Sequence, residues 1–381
     1  MSGSVSSAAV PLEKLRDHFR VPSDPLRLFA KGKKVEVVYA VISKGVPLFR
    51  TEGVGDVTLL DLRVSGSTVS VPVILPEKIQ AKLRRQMLEI LRAHFDDSVK
   101  NILSEKYKAL GYVKLGNDGS WNCFVAPTLG ERETDVGMCG FCPACTILGA
   151  VVTRGELRGA GTSYGLKSRV VHDPAYAVTA YEKAVVDLTH TKVGDGLSYT
   201  GRALFEEPHV LPGVVFIGKL VLYDLTEREA KLVLAALSSI SRLGAGETKY
   251  GSVQTLLLGI KGGSYESISA YDIARHIIGR FGGELVEPEV VLKEVLSYLS
   301  EKGFELLASF DGKKLDEIHA QITLSEDDVK KLWEEDNYYY ANQVVEHIKR
   351  VQQEEEEEEE EEGAKSKKKS GKKSVSKGGG T

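Results

Sequence analysis

The sequence predicts an α+β protein, and three observations carry that expectation. Val35 to Ser43 is a nearly unbroken run of β-branched and apolar residues, as in a central strand covered on both faces. Val214 to Tyr223 reads as a second strand, followed by a Thr226/Glu229 capping box, an apolar stripe at Ala230, Val233, Leu234, Leu237 and Ile240, and a third strand at Val253 to Ile260. That strand, helix and strand form a βαβ crossover, with Gly244 expected to end the helix. Beyond Gly262 the apolar spacing becomes helical at Ala270 to Phe281, Glu287 to Lys302 and Ser325 to Gln352.

The remaining elements follow in chain order. A short helix is expected around Leu12 to Phe19, and an extended stretch from Val57 to Leu75 is punctuated by Gly66 and Pro72. A long helix is expected from Pro76 to Leu110, with Ile79, Leu83, Met87, Ile90, Leu91 and Phe95 at 3-to-4 spacing. Its Lys82, Arg84, Arg85 and Arg92 fall off that stripe and read as a solvated face, with an RNA or subunit contact by the arginines as the weaker reading. Residues 112–168 lose all periodicity and become rich in Gly and Cys, so a loop of that length needs another source of order. Short β-like runs at Tyr176 to Ala180 and Ala184 to Leu188, followed by Gly194-Asp-Gly196, predict a projecting hairpin.

The composition, 381 residues with 42% hydrophobic and 27% charged, is that of a soluble globular chain. No apolar run approaches the roughly 18 to 20 residues of a membrane span, and the first residues carry no secretory pattern, so a cytoplasmic protein is expected. A net charge of −4 argues against a uniformly basic surface. That sum averages a run of glutamates from Glu354 to Glu362, a lysine-rich end after it, and a nearly balanced body whose cations gather at 31–50 and 154–169. The first of these regions holds Lys31, Lys33, Lys34, Lys44 and Arg50 against Glu36 and suits RNA contact.

The strongest local signal is the spacing of Cys123, Cys139, Cys142 and Cys145. Two-residue gaps let successive thiolates turn onto one ion, and Gly140 and Pro143 suit a tight knuckle, so a structural zinc site is expected. A dithiol redox motif at Cys142 and Cys145 is the weaker reading, and His172 or another histidine stays open in place of Cys123. Gly161-Thr-Ser-Tyr-Gly165 has the letters of a nucleophile elbow without the flanking strand and helix. It reads better as a loop presenting Arg154, Arg158, Lys167 and Arg169 to phosphates. Arg242 to Gly251 fails as a P-loop, because it follows a helix instead of opening one. It can still present backbone amides around Gly244 and Gly246, with Lys249 and a stacking ring, Tyr250, to a single-stranded nucleic acid.

Three segments together resemble the backbone subunit of type I-D CRISPR-associated, Cascade-like surveillance complexes, within the RAMP superfamily. They are the Cys139 to Gly149 knuckle, Gly165 to Ala177, and the late helix followed by Gly244 to Gly251, with Pro47 to Glu52 included. The resemblance spans about Lys33 to Ile260. It implies a ferredoxin-like, RNA-recognition-motif core at 31–75 and 170–262, split by a helical and zinc-binding insertion at 76–169. A hairpin thumb near 178–210, an appended helical domain at 263–350 and a disordered Glu/Lys tail at 351–381 complete the expected organisation. The resemblance further implies a non-catalytic subunit that polymerises along the guide RNA, alongside other complex subunits, so that target DNA can pair with the guide. Gly244, Gly246, Lys249, Tyr250, Arg50, Lys167 and Arg169 would track phosphates. The enzyme alternative is a superfamily endoribonuclease that processes precursor RNA, with His172 or His190 as its acid/base group.

Overall fold

The computed structural model describes residues 12–23, 32–50, 56–110, 121, 123, 138–152, 164–193, 200–307, 322–347, 349–350, 353–354 and 357. Apart from 353–354 and 357, which are helical, the expected tail lies outside the described residues, as do the Arg154/Arg158 loop and the side chain of His190. The fold is a mixture of helices with antiparallel sheet. Its center is β1 (Lys34–Ser43), buried along nearly its whole length. On one side β1 pairs antiparallel with β10 (Val215–Tyr223), and on the other with β11 (Val253–Gly263). Since β10 and β11 both run against β1, they are parallel to each other, and α5 (Glu227–Ser238) crosses over the strand between them.

A second crossover mirrors the first. After β1 the chain makes a hairpin of β2 (Leu59–Val64) and β3 (Ser67–Ile74), whose turn at Ser65 and Gly66 has φ of 49° and 85°, both positive as a type I′ turn requires. It then forms α1 (Pro76–Ala93), α2 (Asp97–Ile102), α3 (Pro143–Leu148) and the small ribbon of β4 (Ala150–Val152) with β5 (Tyr164–Leu166). It returns to the sheet as β6 (Val170–His172) and β7 (Ala175–Ala177), both antiparallel to β10 and so parallel to β1. The main sheet has eight strands in the order β12-β11-β1-β10-β7-β3-β2, with β6 beside β10 and β12 spanning Glu305–Leu306. Across the central pair, the Tyr39 ring lies over Gly218 on β10, where any Cβ would sit 2.3 Å from the ring.

After α4 (Tyr181–Ala184), strands β8 (Val185–Val193) and β9 (Thr200–Val210) form a separate antiparallel hairpin. The later helices α6 (Ala270–Phe281) and α7 (Pro288–Glu301) do not stand apart as the sequence suggested. α6 packs on β2, β7 and β10, α7 packs on β11 and β12, and their buried residues join the same core as the sheet. α8 (Glu326–Lys331) continues through a π-helical stretch, Leu332–Asn337, which packs against α2, α3 and α5.

Two helix lengths differ from expectation for identifiable reasons. The helix expected to reach Leu110 stops at Ala93, because Asp96 opens a new one by accepting the Val99 amide at 2.9 Å. The helix expected to run to Gly244 stops at Ser238, because Ser241 and Leu243 pair instead with Val253 and Gly251.

The elements are tied together by a buried charge cluster. Glu229 accepts from the Thr226 amide as part of the α5 cap and takes two hydrogen bonds from Arg169, at 2.9 and 2.6 Å. Arg20, from the N-terminal 3₁₀ turn Glu13–His18 and its exit, lies 3.9 Å from the same carboxylate. Burial alone would raise the Glu229 pKa, but Arg169 and Arg20 hold it below the ordinary carboxylate range. Arg169, expected at an RNA-facing surface, is thus in the interior, with its guanidinium stacked on Tyr340 at 4.2 Å. It has no face to offer a phosphate.

Glu229→Gln is expected to cost about 3–5 kcal/mol of stability in urea unfolding, since it strands the buried guanidiniums of Arg169 and Arg20. His172 supplies a pH signature. Its ring nitrogens are buried without partners among the described residues, and burial lowers its pKa to about 4. Below pH 6.5 the unfolded chain takes up a proton that the folded chain refuses, so this contribution is complete above 6.5 and is lost as pH falls towards 4. At about 1.4 kcal/mol per pKa unit, the wild type should lose roughly 2–3 kcal/mol more than His172→Gln between pH 7.5 and 4.5, measured as urea midpoints.

Candidate nucleic-acid interface and metal center

The segment Ser241 to Val253 is a closed loop. Leu243 donates its amide to Gly251 at 2.9 Å, Arg242 bridges Ser252, and a single helical turn is formed by the Lys249 and Tyr250 amides on the Gly246 carbonyl. Gly244 and Gly246 have φ of 96° and 60°. At Gly244 a Cβ would also meet the Leu48 carbonyl at 2.7 Å, so this loop is pressed against the end of β1 by glycine alone. The Ala245 amide donates to Leu48 at 2.9 Å and seals the contact. The amides of Gly246, Glu247 and Thr248 open the helical turn and have no partner among the described residues, which suits an anion.

Cations surround that turn. Lys44 and Lys249 are exposed, and Arg50 lines a small depression with Lys78, Gly244 and Ala245. Lys82, one turn beyond Lys78 on α1, pairs with Glu247 at 3.1 Å. The root of the β8/β9 hairpin reaches the same place: the Val210 amide donates to the Pro47 carbonyl at 3.0 Å, and His209 Nδ1 lies 2.6 Å from the Val46 carbonyl oxygen. Arg50 meets Glu207 of the hairpin at 2.8 Å, and the Tyr250 ring stands edge-on to His209 with centroids 5.2 Å apart. Gly loop, strand end, α1 and hairpin root therefore converge at one end of the sheet.

The convergence is selective. Lys33 and Lys34 lie at the other end of β1, roughly 30 Å away for a strand of this length, where Lys33 Nζ donates to the Phe19 carbonyl and Lys34 stands over Tyr223. The basic rim read from 31–50 is therefore two separate features. Lys167 is exposed at the end of β5, beside the knuckle. Sequence reasoning missed Lys78 and read Lys82 only as part of a solvated face, although their spacing of four places both on one helix face.

The four cysteine sulfurs lie within 4.8 Å of one another. Cys123 Sγ is 3.5 Å from Cys145 Sγ and Cys139 Sγ is 4.0 Å from it, too far for disulfides, and all four thiols are free. The Cys139 amide points at Cys123 Sγ at 3.4 Å and the Cys142 amide at Cys139 Sγ at 3.3 Å. Gly140, with φ of 77°, makes the turn, and Pro143 starts α3 at Cys142. Burial pushes the Cys139 and Cys142 thiols well up, whereas hydrogen bonds from its three neighbors hold Cys123 far down. Such a set could hold a metal ion, and Cys123 completes it without His172.

The knuckle is held by groups expected in solvent. Arg84 is buried and donates to Ala144 and Leu148 carbonyls at 3.2 Å each and to that of Gly149, with Cys145 Sγ at 3.7 Å. Gln80, one turn earlier, donates to Leu148 at 3.0 Å, and Arg92, two turns later, donates to the Cys123 carbonyl at 2.6 Å. Arg169 takes the Thr146 carbonyl at 3.0 Å. Two guanidiniums thus neutralize the carbonyl end of α3. On its other side, Asn337 donates to the Phe141 carbonyl at 2.7 Å and to Tyr107 Oη at 2.8 Å, and accepts from Thr146 at 2.6 Å.

Comparison with known proteins places this architecture. The family model described as Csc2 Crispr matches residues 17–363. The crystal structure of Thermofilum pendens Csc2 is 37% identical, with a TM-score of 0.69, covering 89% of this chain and 96% of that one. A CRISPR RNA-guided surveillance complex chain is 10% identical with a TM-score of 0.38, covering 70% of this chain and 83% of its own, a likeness too low to add to the argument. No curated protein matches. A family match over most of the length, together with a relative at this identity, is decisive: the chain belongs to the Csc2 CRISPR family.

Proposed function

We propose that this protein is a non-catalytic, guide-RNA-binding backbone subunit of a type I-D CRISPR surveillance complex, polymerizing along the spacer to present it to target DNA. The observation that carries the reading is the convergence at one sheet end of the Gly246–Thr248 amides, Lys44, Arg50, Lys78 and Lys249, and the hairpin root. Membership of the Csc2 family supplies the CRISPR context. The strand order β11-β1-β10-β7 with two crossovers, each passing over a strand, supports a ferredoxin-like, RNA-recognition-motif core. The mechanism is electrostatic and shape-based. Amides and cations bind phosphate oxygens, the Tyr250 ring supplies a surface for stacking, and base edges stay free for pairing. Arg169 is left out of the RNA contact, and Lys167 is kept as a peripheral one.

Against the endoribonuclease alternative stands His172, whose two ring nitrogens are buried and have no hydrogen-bond partner among the described residues, a poor position for an acid/base group. Among the described residues no helix is long and apolar enough to cross a membrane.

The cysteine cluster fits zinc. Bonds of about 2.3 Å put the corners of a tetrahedron roughly 3.8 Å apart, between the two sulfur separations of 3.5 and 4.0 Å. Four thiolates leave no open position, so the ion would serve the fold, as a staple for the insertion between α1 and β6.

Binding of single-stranded RNA to the full chain should weaken steeply with salt. Lys249→Ala and Lys44→Ala should each reduce the slope of log affinity against log salt by about 0.7, and Tyr250→Ala should cost about 1–3 kcal/mol if the ring stacks. Affinity flat in salt, as read by fluorescence anisotropy, overturns the proposal. Elemental analysis should find one zinc per chain, with Cys142→Ser losing the metal and lowering the melting temperature while Lys249→Ala retains it. Metal-free native protein would rule out the zinc assignment.

A further inference from the structure

The outer face of α6, the C-terminal part of α7 and the β2/β3 turn enclose an open groove of about 490 Å³ that the proposed RNA path does not use. Arg275, His276, Gly279 and Arg280 line it from α6, Tyr298 from α7, and Val64 and Ser65 from the turn. Both arginines are exposed and neither makes an ion pair or hydrogen bond among the described residues. That separates them from Arg84, Arg169 and Arg228, whose guanidiniums are committed to protein partners. Arg280 suits the carbonyl end of its helix, but Arg275 sits mid-helix, where that explanation fails.

The groove wall is aromatic. The His276 and Tyr298 rings stack with centroids 4.2 Å apart and planes at 15°, and Lys302 Nζ stands 5.1 Å over the Tyr298 ring. Glu294 fixes the stack from behind by pairing with His276 Nε2 at 3.2 Å. Asp272 is the one carboxylate in the lining and is occupied by the Ser269 cap. Gly279 leaves the floor open, with Val64 as its one near neighbor, at 3.5 Å.

Unpaired guanidiniums beside a rigid ring stack are the parts that bind phosphate and base of an unpaired nucleic acid strand. We infer that the α6/α7 groove is a second contact surface for single-stranded nucleic acid, separate from the Gly-loop end. The inference extends the RNA-binding reading without depending on its residues. Charge complementarity selects a polyanion, and the flat stack selects one that carries bases.

The test uses the full chain with photoreactive 5-iodouracil oligonucleotides, one RNA and one DNA, followed by peptide mapping. Cross-links to the segment containing His276 and Tyr298 are expected in at least one of the two arms. Arg275→Ala/Arg280→Ala should reduce them at least tenfold and lower the salt slope of that strand by about 1.4, with an unchanged melting temperature because neither side chain has a protein partner among the described residues. Lys249→Ala should leave these cross-links intact. Absence of cross-links in both arms, their persistence in the double variant, or a double variant that alters only self-association would overturn the inference. Loss of Gly-loop binding effects with groove cross-links retained would instead count against the RNA path proposed above, so the two readings fail separately.

Discussion

A carboxylate with no exposure must be paid for in pairing, and Glu229 sets the terms for much of this molecule. It caps α5, so it fixes where the crossover helix begins. It holds Arg169 by two hydrogen bonds, and Arg169 in turn takes the Thr146 carbonyl at the end of the knuckle helix. Arg20 brings the N-terminal turn to the same point. Three segments distant in sequence thus meet at one charge, each supplying a group that would be costly to bury alone.

The insertion between α1 and β6 is organized by the same economy of polar groups. Gln80, Arg84 and Arg92 lie on one stripe of α1 and all end on carbonyls of the cysteine-bearing segments. Leu83, Met87 and Leu91 face the core from the neighboring stripe. One helix therefore serves both as core and as the wall against which the four cysteines are assembled. Asn337 and Tyr107, from the π-helical stretches Leu332–Asn337 and Leu103–Tyr107, close the opposite side.

What the sequence made legible follows the physics that local residues can carry. The central strand was readable because burial on both faces leaves an unbroken apolar run, and the α5 and α8 starts because capping boxes are local. The cysteine cluster was readable from spacing alone, although the choice of Cys123 over His172 needed three dimensions. Arg84 and Arg169 were misread as surface cations because their partners are carbonyls and a carboxylate about 60 residues away in sequence, which no local pattern announces. The placement of α6 and α7 on the sheet was hidden for a similar reason, since an amphipathic stripe says that a partner exists but not which one.

Arg50 has a consequence of its own. Its guanidinium engages Glu207 at the base of the β8/β9 hairpin, and the same group borders the Gly loop. A cation shared between an internal carboxylate and an incoming phosphate cannot satisfy both at full strength, so the two partners oppose each other through it. On the proposed RNA path the opposition would run in both directions by linkage: a strand that recruited Arg50 would loosen the hairpin root, and a hairpin fixed by a neighboring molecule would withhold Arg50 from the strand. The hairpin's posture and the occupancy of the Gly-loop depression would then be two readings of one equilibrium.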